Sequence, residues 1–155
     1  GAEDRGRGRE CVWDGRATLE GNSWHDVVPI NRYNIDKTFG VEGESVVAWQ
    51  AITTGGFGGF EARLDHPSTG TLSLVTPHVT ATVPVSEIGR DDVVLEAGGL
   101  GRRVRLFRLP NENPHRALRL TRTLPLANDR DNAFYIRVTF EDGHVAWSSP
   151  VYVFC

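Results

Sequence analysis

The sequence predicts an all-β fold: an antiparallel two-sheet β-sandwich, immunoglobulin-like or jelly-roll in outline, of about ten strands. Three observations carry that prediction. Short runs rich in Val, Thr and aromatic residues recur at intervals of about 8–12 residues, each bounded by Gly, Pro, Asn or Asp. No segment keeps a helical period of about 3.6 residues long enough to form an amphipathic helix. The closing stretch, Asn132-Ala-Phe-Tyr-Ile-Arg-Val-Thr-Phe-Glu-Asp-Gly-His-Val-Ala-Trp-Ser-Ser-Pro-Val-Tyr-Val-Phe154, reads as two strands around a Glu-Asp-Gly turn.

The elements follow in chain order. Residues 1–9 lack apolar spacing and read as a flexible lead-in. Residues 10–155 then read as a single sandwich domain, a length that can bury a core. Runs 11–13 and 17–19 flank Asp14-Gly15, a hairpin dipeptide, and Gly21-Asn22 breaks the chain. Residues 29–44 are polar and broken and read as a long connection. In 45–53, Val47 and Trp49 share one face and Val46 and Ala48 the other, so one face is expected to be buried. Gly55-Gly-Phe-Gly-Gly59 reads as a turn or bulge.

Strands are expected over 60–64 and 71–75, and over 79–85, where Pro84 marks an edge or an end. One short helical turn is expected over 85–88, then a strand over 93–95 closed by Gly98-Gly99. Residues 103–109 and 117–124 alternate charged or polar with apolar side chains and read as half-exposed strands. In the terminal pair, Asp142-Gly143 supplies the turn, Trp147 plugs the core, and Pro150 ends or bulges its strand.

Composition narrows the function. The net charge of −3, with Lys37 the only lysine, argues against nucleic acid or an anionic membrane as partner. No apolar run reaches the roughly 18 residues that span a bilayer. The chain begins with Gly1 rather than Met and is expected to be a piece of something longer. Cys11 and Cys155 are either a pair that ties the two ends or two unpaired thiols, and no Cys-x-x-Cys spacing suggests a thiolate zinc site.

His25, His66, His78, His115 and His144 show neither His-x-His nor His-Glu-x-x-His spacing, so no metal site and no cofactor is expected. Gly-x-Ser-x-Gly is absent, and no catalytic residue is assigned. Asn128-Asp-Arg-Asp-Asn132 gathers side-chain oxygens as calcium prefers, but Arg130 sits among them and the run reads as an Asx-rich turn. Of the four tryptophans, Trp13, Trp49 and Trp147 lie in strand patterns and are expected in the core. Trp24, Tyr33 and Phe57 lie in connections and are the candidate stacking residues for a carbohydrate ligand.

Several segments together resemble a known family. They are Val12-Trp-Asp-Gly-Arg16 with Glu20-Gly21, the run 46–54 with Gly55-Gly56 after it, Ala97-Gly-Gly-Leu-Gly-Arg102 before Leu109-Pro110, and above all 135–152 with its Asp-Gly-x-x-Ala-Trp-Ser-Ser-Pro core. They resemble the C-terminal region of large, uncharacterised bacterial proteins. The N-terminal part of those proteins is similar to a PHP-type (polymerase and histidinol phosphatase) metal-dependent phosphoesterase barrel. The family's metal ligands, including a His-x-His, belong to the barrel and have no counterpart here. The resemblance implies a non-catalytic accessory sandwich whose partner is the neighbouring catalytic domain of the same parent protein. Carbohydrate binding through the exposed aromatics is the alternative.

Overall fold

Alternation sets the strands of the main sheet. Ala17 and Leu19 point one way from their strand, and Arg16, Thr18 and Glu20 point the other; the first pair is buried. The computed structural model describes residues 10–31, 36–112, 117, 119–140 and 145–154. The lead-in at 1–9, Tyr33, the Asp142-Gly143 turn and Cys155 lie outside the described residues. The chain divides into two compact units, Gly1–Pro110 and Asn111–Cys155.

The first unit contains β1 (Cys11–Val12), β2 (Gly15–Glu20), β3 (Trp24–Ile30), β4 (Phe39–Glu42), β5 (Val46–Trp49), β6 (Ile52–Thr53) and β7 (Gly59–Leu64). It continues with β8 (Thr71–Val75), β9 (Thr80–Pro84), a 3-10 turn over Val85–Glu87, β10 (Val93–Glu96) and β11 (Arg103–Leu106). Five strands form an antiparallel sheet in the order β4-β5-β2-β8-β9. The register sets Ala17 opposite both Val47 and Leu74, and Leu72 opposite both Leu19 and Val83, so one face is continuously apolar.

That face is the centre of the core, where Val47 is 0% exposed. Side chains from outside the sheet pack against the core cluster that this face belongs to: Trp24 and Val27 of β3, Phe60 and Leu64 of β7, Leu95 of β10, and Val104 and Leu106 of β11. Those strands pair as β3 with β7 and β10 with β11. Phe60 holds an aromatic cluster together, with ring centroids 5.7 Å from Trp24, 5.8 Å from Trp49 and 6.2 Å from Phe39.

Several expectations hold. Val47 and Trp49 face the core, the 3-10 turn falls where a helical turn was expected, and Pro84 ends an edge strand. Others are corrected. Among the described residues there are fifteen strands, many of two to four residues, rather than about ten. Asp14-Gly15 does not close a hairpin: β1 pairs with β6, and β2 pairs with β5 and β8. The ribbon of 11–18 against 46–53 is interrupted there, where the Asp14 carboxylate accepts the Ala51 N–H at 3.0 Å. The connection expected over 29–44 holds the end of β3 and all of β4, because Phe39 packs on the core and Val41 pairs with Val47. The alternating run 117–124 forms no strand among its described residues, since alternation alone supplies no ladder partner.

The second unit contains β12 (Asn132–Phe134), β13 (Arg137–Thr139), β14 (Val145–Trp147) and β15 (Val151–Val153). β12 pairs with β15 and β13 with β14, as in one antiparallel ribbon interrupted midway. At the interruption the Ser148 N–H donates to the Ile136 carbonyl, and the Ser148 hydroxyl accepts the Ile136 N–H, both at 2.9 Å. Pro150 lies in that break, as its missing donor requires. Trp147 is corrected: it is 63% exposed and plugs no core.

Candidate functional site

Cys11 is the most chemically loaded position in the first unit. It lies on the two-residue β1 and is buried, with 5% of its surface exposed. Two turns distant in sequence meet its sulfur. The Thr76–Val79 connection between β8 and β9 brings His78, whose Nε2 stands 3.1 Å from Cys11 Sγ. The turn between β10 and β11 brings Arg102, whose Nη1 donates toward the same sulfur at 3.8 Å. The other acceptor in reach of the thiol, the Val12 carbonyl, is farther away at 3.9 Å, so the imidazole is the nearer partner.

Local hydrogen bonds fix both visitors. The Thr76 hydroxyl oxygen accepts the N–H groups of His78 at 3.2 Å and Val79 at 2.9 Å, which shapes the turn that carries the imidazole. The Trp13 ring meets the His78 ring edge-on, centroids 5.1 Å apart. Arg102 Nε donates to the Gly99 carbonyl at 3.0 Å, and Gly98 takes φ +91°, a conformation glycine adopts without strain. A thiol, an imidazole nitrogen and a guanidinium therefore converge from three segments. Such an arrangement supports nucleophilic chemistry at sulfur.

No local pattern signals this convergence. Cys11 and His78 are 67 positions apart and belong to no spaced motif, and a thiol–imidazole pair is adjacent in space rather than in sequence. The predicted stacking residues fare differently. Trp24 is half-buried, its ring against Phe60 and its indole N–H donated to the Ser45 carbonyl at 3.0 Å. Phe57 is half-buried in the glycine-rich turn, and the structure does not bring it into contact with Trp24 in any ring pair.

In the second unit, Asp131, Asn132, Ala133, Tyr152 and Phe154 line an open hollow of about 340 Å³. The Tyr152 and Phe154 rings are nearly parallel, 17° apart, with centroids 6.3 Å apart. Asn132 does not offer its amide to a cation. Its side chain accepts the Ala127 N–H and donates to the Ala127 carbonyl, both at 2.9 Å, and donates to the Arg130 carbonyl at 3.0 Å. The run 128–132 is thus the Asx-rich turn the sequence suggested. Among the described residues no group of three or more His, Cys, Asp or Glu side chains could hold a metal ion. The chain is defined as an all-β protein built on a multi-strand antiparallel sheet. No protein-family model, no curated protein and no solved structure matches it.

Proposed function

We propose that the chain is a non-catalytic accessory β-sandwich domain that docks on the catalytic domain of a larger metal-dependent hydrolase. One layer of the sandwich is the five-stranded sheet; β3–β7 and β10–β11 supply the other side of the core. The observation that carries the docking role is the second unit's surface. Tyr135, Ile136, Trp147, Val151, Tyr152 and Phe154 are all exposed on one short ribbon. Exposed aromatic and apolar side chains concentrated in so short a segment favour a protein interaction site. The parent activity comes from the resemblance of 135–152 to the family described above.

The test combines two measurements. The purified chain, given divalent metal and a phosphomonoester, is expected to show no turnover, and metal-dependent hydrolysis by it ends the proposal. Trp147→Glu with Tyr152→Glu is expected to weaken association with the catalytic domain of the parent protein by at least about tenfold, since buried aromatics dominate interfaces. Unchanged association removes the docking role.

The hollow favours a second reading, carbohydrate binding, with Tyr152 and Phe154 rather than Trp24 as the stacking surface and Asp131 as an acceptor for sugar hydroxyls. A glycan array decides it: binding lost in Tyr152→Ala supports this reading, and silence across the array dismisses it.

A further inference from the structure

We infer that Cys11, His78 and Arg102 form a thiol oxidation site that reacts with small hydroperoxides. The inference goes beyond the docking role and does not rest on it. A thiol buried only for packing needs no polar neighbour, because free cysteine behaves as a small apolar side chain. Cys11 instead has an imidazole nitrogen at 3.1 Å and a guanidinium at 3.8 Å, delivered by two turns that their own hydrogen bonds shape.

The chemistry follows from those positions. His78 Nε2 takes the thiol proton as the sulfur attacks the nearer peroxide oxygen. The S–O bond forms and the O–O bond breaks. The departing hydroxide or alkoxide takes the proton from His78 and leaves as water or alcohol. Sulfur is oxidised by two electrons to sulfenic acid and the peroxide is reduced by the same two. Arg102 places fixed positive charge beside the sulfur, which favours the thiolate that attacks. The 5% exposure restricts the reactant to small molecules such as hydrogen peroxide and excludes bulky disulfides.

The test is the rate at which Cys11 gains one oxygen from hydrogen peroxide, read by mass spectrometry on the tryptic peptide 10–16. The chain has no methionine to confuse that mass gain, and fragmentation separates Cys11 from Trp13. The rate is measured for the folded full chain and for the same chain in denaturant. Folded protein is expected to react at least about tenfold faster, and His78→Gln is expected to remove most of that advantage, as loss of a general base does. Arg102→Gln should slow the reaction by a smaller factor. Folded Cys11 reacting no faster than unfolded Cys11 overturns the inference, and this comparison needs no variant to fold. Where His78→Gln retains the wild-type melting curve, an unchanged oxidation rate overturns it as well.

Discussion

Gly15 occupies a place in β2 that no larger residue fits. A Cβ there would lie 2.5 Å from Cζ2 of Trp49 and 2.9 Å from the Val75 carbonyl oxygen. Trp49 cannot easily yield, since its indole N–H is donated to the Trp13 carbonyl at 2.5 Å and its ring packs on Phe60. Gly15→Ala is therefore expected to destabilise the chain by about 1–3 kcal/mol, the usual penalty of overpacking, measured by urea unfolding. Leu74, buried opposite Ala17 and Ala81, is the converse case: Leu74→Ala opens a cavity and should cost about 2–5 kcal/mol in the same assay. The sequence marked Gly15 as special for a different reason. It shares Asp14-Gly15 with a common hairpin signature, and only the tertiary approach of Trp49, from a strand distant in sequence, reveals why glycine stands there. The same distance problem hid the Cys11 site, whose partners His78 and Arg102 arrive on turns that no local pattern connects to β1.

At the scale of elements, local chemistry was legible wherever one strand's own pattern decides its state. The alternation of 45–53, the Pro84 strand end and the glycine-rich bend before β7 all follow from backbone and burial rules acting within a few residues. Elements decided by partners were not legible. β4 carries little apolar pattern and exists because β5 pairs with it and Phe39 reaches the aromatic cluster. Residues 117–124 show the reverse, a clean alternation with no ladder. The turn at 128–132 was legible because Asx side chains close loops on their own backbone. Its closure depends on Asn132, so Asn132→Ala, by removing those half-buried hydrogen bonds, should loosen the turn by about 1–2 kcal/mol. The Ala127 amide reports this directly, and its hydrogen exchange should accelerate by a factor of about 5–30. An unchanged exchange rate would mean the turn is held by other contacts.

Over the whole molecule, burial is concentrated in one unit. Every buried hydrophobic residue among those described, from Cys11 to Ala97, belongs to Gly1–Pro110. The second unit buries none of its described apolar side chains, and its strands pair only two by two. Two-stranded ribbons are marginal in water without a packed face, whereas an antiparallel sheet with a covered apolar face sustains cooperative unfolding. The two units should therefore differ when separated. A fragment of residues 10–110 is expected to retain a single sigmoidal unfolding transition with its Trp13, Trp24 and Trp49 fluorescence blue-shifted, because those three rings contact the core. A fragment of residues 111–155 is expected to show no cooperative transition by circular dichroism and a red-shifted Trp147 emission, in keeping with its exposure. Cooperative melting of 111–155 alone would show that the ribbon supplies its own stability, and its exposed aromatics would then no longer imply a partner that covers them.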